Sequence, residues 1–429
     1  MRDTALYAQI LGIVHPWKVQ KVELDRNNHD VTVFLEYTKT TKRRCPECGK
    51  RCPGYDTKRR KWRHLDTCQY KTILVADVPR VKCKEHGIKQ IKVPWAEEKS
   101  RFTALFEALV IDWLQEASIQ AIASQLGLSW DQVDGIMQRA VDRGLSRREN
   151  VLPFAIGVDE TSYQKRHEYV TVVTDCDDGS VVHVSDGKGS KSLKSFYSQF
   201  EKEDLEDLEF IAMDMSPSYI SATKEEVPEA EDKIVFDKYH VIASLNKAVD
   251  KVRRKENKTL MQNGDETLKG TKYNWLQRPD EMTWATRRSF ADLRRSHLKT
   301  GRAWSIKETA RDLWHYETEG WAKRGWTRWY NWAIRSRIEP IKQAAKMVKN
   351  HLYGIINAVV MGVTNARAEG INAVIQQLKA QARGYRNRER FRNAIYFHCG
   401  KLDLYPDSLT TSDKHFLQPN GLKCAHSFS

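Results

Sequence analysis

PFAIGVDET (153–161) and LEFIAMDMS (208–216) decide how this chain is read. Each contains a short apolar run of strand type that closes on an aspartate, Asp159 in the first and Asp214 in the second. A third carboxylate, Glu369 in TNARAEGIN (364–372), opens a helix-like stretch, GINAVIQQLKAQ (370–381). The intervals are 214 − 159 = 55 and 369 − 214 = 155 residues, yet two strand ends and one helix can still meet in space. Three acids gathered at one point repel each other unless a divalent cation neutralises them. A convergent trio therefore implies Mg²⁺ (or Mn²⁺) and phosphate chemistry. In a chain of net charge +15 and pI near 9.3, that phosphate is expected to be nucleic acid. Any one of these residues alone carries little weight among 56 acidic side chains; the ensemble carries the reading.

Around these runs the pattern is α/β. EYVTVVTDCDDGSVVHVSDG (168–187) reads as a hairpin turning at Asp177-Asp178-Gly179, and SLKSFYSQF (192–200) reads as a helix. KIVFDKYHVI (233–242) reads as a further apolar strand carrying Asp237 and His240. Three antiparallel strands, a helix and more strands is the order of an RNase H-like fold. Residues 245–350 fit no strand template and read as a helical insertion between the second and third acids. Its tryptophans (275, 284, 304, 314, 321, 326, 329 and 332) are expected in the core rather than at a contact surface. A short helix and a polar tail end the chain, where Cys424 and His426 form no ligand set.

Upstream, VQKVELDRNNHDVTVFLEYT (19–38) reads as two strands about the turn RNNHD. CPECGKRC (45–52) then places Cys45 and Cys48 in a C-x₂-C knuckle, answered 35 residues after Cys48 by Cys83 and His86 in C-x₂-H spacing. Three thiolates and one imidazole suit a closed tetrahedral Zn²⁺ site, with Cys52, His64 and Cys68 as spare candidates for the fourth ligand. SIQAIASQLGLSWDQVDGIMQRAVDRG (118–144) reads as helix, turn and helix, with Ser129 as N-cap of the second helix. Such a unit lays its second helix in the DNA major groove, which would bring Gln132 and Arg139 to the bases.

A chain of 429 residues suits two to four domains. The boundaries expected are 1–98 for the zinc-binding β module, 99–150 for the helix-turn-helix, 151–244 with 351–400 for the catalytic domain, 245–350 for the insertion and 401–429 for a tail. No apolar run approaches the ~20 residues of a membrane helix, and no secretory leader is expected. Eight cysteines, mostly bunched before residue 84, point to metal rather than disulfides and to a reducing cytoplasm. The clusters KTTKRR (39–44), KRRKWR (58–63) and RGYRNRERFR (383–392) suit backbone neutralisation, and the last two add rings for stacking; KVRRK (251–255) reads as a solvated helix face.

The ordered series CPECG, second knuckle, helix-turn-helix, VDET, MDMSPSYI, FDKYHVI, insertion and NARAEGIN resembles the DDE transposases of the bacterial insertion-sequence group called ISL-three type. The resemblance spans most of the chain. It implies a Mg²⁺-dependent enzyme acting on double-stranded DNA, namely the terminal inverted repeats of its element and a target. Asp159, Asp214 and Glu369 match the three acids; Asp237 and His240 match a D-x-x-H stretch of accessory residues. His86 stands where cysteine is more readily expected. Asn365 and Arg367 precede Glu369 and are expected near the scissile phosphate, while Arg383, Arg386 and Arg388 follow it and are expected to grip backbone. Joining two ends makes a homodimer the economical expectation, in a nucleoid-associated protein of the bacterial cytoplasm. The alternatives are a DNA-binding regulator with an inert RNase H-like domain, and a structure-specific nuclease or resolvase.

Overall fold

The computed structural model describes residues 2–164, 168–278, 280, 282–295, 297–363 and 366–409, excluding the side chains of 164, 295 and 366–369. The chain forms two compact units. Among the described residues, one holds the chain up to Arg148 together with Tyr396–His398 and 402–409; the other holds Glu149–Ile395 and Cys399–Lys401.

The first unit opens with a helix, Asp3–Ile10, that the sequence reading missed. Its sheet contains β1 (Trp17–Asp25), β2 (Asp30–Tyr37), β3 (Gly54–Thr67), β4 (Tyr70–Cys83) and β5 (Gly87–Gln90). The order is β1-β2-β4-β3, with β5 on the far half of β4. β2 buries Val31, Val33 and Leu35 at the two-residue period of a one-sided strand. Trp95 meets Trp17 and Trp62 edge-on, at centroid distances of 4.8 and 5.5 Å. This module therefore has an aromatic core of its own. Trp62 belongs to it, so the basic run 58–61 before it is exposed on β3 while the ring that follows it is not.

Three helices follow, Ala104–Glu116, Ile119–Leu126 and Trp130–Arg147. Thr103, Ser118 and Ser129 each turn a hydroxyl onto the third backbone N–H of the helix they start. The turn between the second and third helices is made by Gly127, in the left-handed region at φ 63°. Ser129 and Gln132 form a reciprocal capping box, with Ser129 N–H donating to Gln132 Oε1 at 2.8 Å.

The second unit is built on β6 (Ala155–Gln164), β7 (Glu168–Asp175), β8 (Val181–Asp186), β9 (Phe210–Met213) and β10 (Ile234–Phe236), in the order β10-β9-β6-β7-β8. β6, β7 and β8 are antiparallel neighbours; β9 and β10 run parallel to β6. Helices Ser190–Tyr197 and Pro217–Glu226 supply Phe196, Tyr197 and Tyr219 to the core of the unit.

β10 is shorter than KIVFDKYHVI suggests. It ends at Phe236, and Asp237 caps a helix, Lys238–Gln262, so His240 stands in the first turn of a helix and not on a strand. The Asp237 carboxylate accepts the Tyr239 N–H at 2.8 Å, and that local bond outcompetes continued extension. The same helix runs through residue 245, where the insertion was expected to begin. From there to Asn350 the described elements are helical, the last being Glu339–Asn350. Trp275, Trp304, Trp326 and Trp329 are buried, while Trp284, Trp321 and Trp332 are exposed. Trp329 donates to the Ile306 carbonyl at 2.7 Å, and the fully buried Lys307 donates to that of Trp275 at 2.8 Å.

The chain returns to the sheet where it left it. Phe236 meets the His351 and Tyr353 rings at 5.3 and 5.5 Å. Helix Leu352–Val360 packs so closely that a Cβ on Gly354 would lie 2.6 Å from the Phe236 ring. Helices Ala366–Gln381 and Arg388–Cys399 follow.

Candidate active site and metal centre

The acids are aligned by strand register. Val158 pairs with Met213, and Met213 with Phe236, across β6, β9 and β10. The next residues are Asp159, Asp214 and Asp237, so three neighbouring strands each deliver an aspartate at the same edge. These three line one cavity of about 450 Å³ with Thr174, Tyr239, His240 and Asn372. Asp159 Oδ1 accepts the Glu160 N–H at 2.7 Å, and Asp214 Oδ1 accepts the Ser216 N–H at 3.0 Å. His240 Nε2 lies 4.0 Å from Asp237 Oδ2.

Helix Ala366–Gln381 docks against β6. Asn372 donates its amide to Asp159 Oδ2, and Gln376 donates to Thr161 Oγ1 at 3.4 Å. Glu369 lies on this helix, three residues before Asn372. Its side chain and that of Arg367 are outside the described residues, as is Asn365 entirely.

Burial pushes the Asp159 carboxyl up; the Glu160 N–H and Asn372 amide pull it down, and the Asp214 charge adds to the rise. A half-buried carboxylate beside a second one is a hard-oxygen donor set of the kind Mg²⁺ takes. Burial likewise raises Glu160, against the attraction of Lys188. Asn372 and Tyr239 were missed in the sequence; the three-residue step from Glu369 to Asn372 was the available signal.

The metal centre of the first unit is complete. Ligand atoms of Cys45, Cys48, Cys83 and His86 all lie within 4.8 Å of one another. Cys48 Sγ is 3.7 Å from Cys83 Sγ, and His86 Nδ1 is 3.6 Å from Cys83 Sγ and 3.8 Å from Cys45 Sγ. A tetrahedron with Zn–S of about 2.3 Å and Zn–N of about 2.1 Å requires edges of about 3.8 and 3.6 Å. The four residues therefore fit structural zinc. The backbone N–H groups of His86 and Glu85, then the His86 ring, bring the Cys83 thiol down to about 6, towards the thiolate a metal binds. Glu47 lies 3.4 Å from His86 Nε2, in position to orient the imidazole from behind. Two spare candidates are elsewhere, His64 buried on Thr103 Oγ1 at 2.9 Å and Cys68 exposed in the turn between β3 and β4; Cys52 stands beside the centre, its thiol on the Lys50 carbonyl and near Cys83, but outside the group of four.

Several other expected DNA contacts already have partners. Arg139 Nε donates to Glu107 at 3.1 Å, and Gln132 is engaged in the capping box. Arg388 Nη1 donates to Asp186 at 2.8 Å and its Nε to Tyr163 at 3.3 Å; Arg383 holds φ 53° just after helix Ala366–Gln381. Arg386 is not free either. In KVRRK, Arg253 and Arg254 both pair with Asp250, at 2.9 and 2.8 Å.

A zinc ribbon, a helix-turn-helix and a mixed sheet with converging acids together define a DNA-transposing enzyme, and known sequences agree. Residues 41–86 match the zinc finger of transposases IS204/IS1001/IS1096/IS1165, and residues 91–141 the helix-turn-helix domain of transposase family ISL3. Residues 156–395, 240 of 429, match the ISL3 transposase domain itself. The chain belongs to the ISL3 family of transposases. It is 27% identical to the transposase for insertion sequence element IS1557 of Mycobacterium tuberculosis, over 90% of this chain and 93% of that one. It is 25% identical to the transposase for insertion sequence element IS1001 of Bordetella parapertussis, over 89% of this chain and 95% of that one. Among the described residues no helix is long and apolar enough to cross a membrane.

Proposed function

We propose that the chain binds the terminal inverted repeats of its insertion sequence, cleaves at the element ends with Mg²⁺ (or Mn²⁺), and joins the freed 3′-OH to target DNA. The observation that carries this reading is the register of Asp159 and Asp214 on adjacent parallel strands, with the helix of Glu369 docked on Asp159 through Asn372. The strand order β10-β9-β6-β7-β8, antiparallel then parallel, supports an RNase H-like catalytic domain. The helices between Lys238 and Asn350 would form its insertion, so the domain division argued from sequence needs its 244/245 boundary moved to follow Phe236.

Asp159, Asp214 and Glu369 would hold the metal, which supplies charge neutralisation at the phosphate and an acidified water. The chain's own part is to fix the carboxylates and the strand. Asn372 and the Glu160 N–H orient the two oxygens of Asp159, and the Ser216 N–H orients Asp214. In hydrolysis, water oxygen bonds to phosphorus as the 3′ oxygen leaves and takes a proton. In joining, that 3′ oxygen bonds to a target phosphorus as a target oxygen leaves. No protein nucleophile is needed. Asn365 and Arg367, immediately before the Glu369 helix turn, are proposed near that phosphate. Two ends must be held together, so a homodimer acting in the nucleoid of a bacterial cytoplasm is the working assembly.

Purified protein, Mg²⁺ and a labelled duplex carrying its element's end test the reading. Cleavage followed by joining is expected, lost in Asp159→Asn, Asp214→Asn and Glu369→Gln with terminal binding retained. Binding without cleavage would make the chain a regulator, and cleavage without joining a nuclease or resolvase. A variant of any of the three acids that still joined ends would remove that residue from the site.

A further inference from the structure

We propose that Tyr239 is a stacking platform for the nucleobase flanking the scissile phosphate, a role that rests on the catalytic reading of the adjoining cavity. Tyr239 is 65% exposed, whereas most of the large aromatics of this unit are buried or packed against its core. Single exposed rings are ordinary on protein surfaces, so exposure alone means little. Its position gives it meaning. Among the described residues it is the one large aromatic ring lining the cavity of Asp159, Asp214, Asp237 and Asn372.

The ring is held at its root. Asp237 accepts the Tyr239 N–H at 2.8 Å, which fixes the first helical turn, and the neighbouring His240 imidazole meets the ring edge-on at 5.6 Å. A face thereby stays open beside acids that would bind metal and phosphate. The phenol hydroxyl makes no hydrogen bond among the described residues, so the ring is held by its root alone and the phenylalanine variant separates ring from hydroxyl. A scissile phosphate held at the carboxylates necessarily carries a nucleoside on each side, within one nucleotide's reach of this ring. Stacking accepts any base, because every base has a π-face, and so suits a residue that must act at element ends and at varied targets.

The test is a double-mutant cycle on binding, using the full chain, Ca²⁺ in place of Mg²⁺, and terminal duplexes with a single abasic site at successive positions around the cut. Tyr239→Ala should weaken binding about 5- to 150-fold, the range of one lost stacked base. Tyr239→Phe should recover most of that loss. One abasic position should weaken the wild type by a similar factor and leave Tyr239→Ala unaffected. A 2-aminopurine at that position should be quenched by the wild type and not by the alanine variant. Additive losses at every position, or failure of phenylalanine to recover binding, would overturn the proposal. The cycle is read without cleavage, so an inactive wild type in Mg²⁺ with an intact cycle would fail the catalytic reading and spare this one. Normal cleavage without coupling would do the reverse.

Discussion

Glutamine at position 107 tests whether the helix-turn-helix is held by one buried carboxylate. The Glu107 side chain is only 1% exposed. Its Oε1 accepts from Ser100 Oγ at 2.7 Å and Arg139 Nε at 3.1 Å, and its Oε2 from Arg143 Nη2 at 3.2 Å. Glutamine keeps the shape but removes the charge and turns one acceptor into a donor facing a guanidinium. Breaking a buried ion pair on one side costs about 3–5 kcal/mol. Two features reduce that here: Arg143 keeps Glu97 at 3.1 Å and the Leu404 carbonyl, and Arg139, with a side chain 31% exposed, can turn to water. A loss of about 2–3 kcal/mol remains. Native-state hydrogen exchange should show it as about 30- to 150-fold faster exchange of the protected amides in Ala104–Glu116 and Trp130–Arg147. Arg139→Ala should also speed this exchange and add little on top of Glu107→Gln. It should then weaken binding to terminal and random duplexes by the same factor. If Arg139→Ala leaves exchange untouched and instead narrows the ratio between terminal and random DNA, Arg139 reads bases and the structural assignment is wrong.

One zinc per chain is expected by metal analysis. Cys83→Ser should lose it, while Cys68→Ala and Cys52→Ala keep it; because Trp17, Trp62 and Trp95 form a separate core, exchange should rise mainly around 41–53 and 83–87. Raised by burial, Asp159 favours the metal-free fold when protonated; that stability is complete below the ordinary carboxylate pKa of about 3.9 and lost as pH climbs through the raised value. Melting curves without metal should therefore show Asp159→Asn more stable than wild type at neutral pH, with the advantage vanishing near pH 4, and Mg²⁺ should raise only the wild-type Tm. A Mg²⁺-induced rise in the asparagine variant would contradict this. Replacing the exposed Lys58, Arg59, Arg60 and Lys61 by alanine should flatten the salt dependence of DNA binding by up to ~4 units of slope, and replacing Arg388, already paired with Asp186, by much less than one. Equal slopes for the two variants would refute the distinction.

What could be read from the sequence was whatever local chemistry decides. The runs before Asp159 and Asp214 are apolar enough to be strands wherever they are placed, the C-x₂-C and C-x₂-H knuckles have few other uses, and Ser129 with Gln132 spells out a helix start. Asp237 was misjudged because VFDKYHVI is apolar enough for a strand, while one side-chain bond to Tyr239 N–H starts a helix instead. The partners of the arginines were illegible for a different reason. Arg139 and Arg388 find Glu107 and Asp186 at separations of 32 and 202 residues, which no reading of neighbours anticipates. Asn372 lay between these cases, legible as a helix face but not as a partner of Asp159.

The seam where Phe236 meets His351 and Tyr353 bears on synthesis. Chain leaving β10 at 236 returns only at 352, a closure of 116 residues whose entropic cost is about 4 kcal/mol for a flexible loop. Helices forming early within that span shorten the effective loop, so the seam closes after them. Helix Ala366–Gln381 emerges from the ribosome later still. A growing or truncated chain ending before it has Asp159 without Asn372 beside it and lacks Glu369 altogether. On the proposed reading, the order of translation is a safety catch: a copy that stops before helix Ala366–Gln381 holds no complete site and cannot cut.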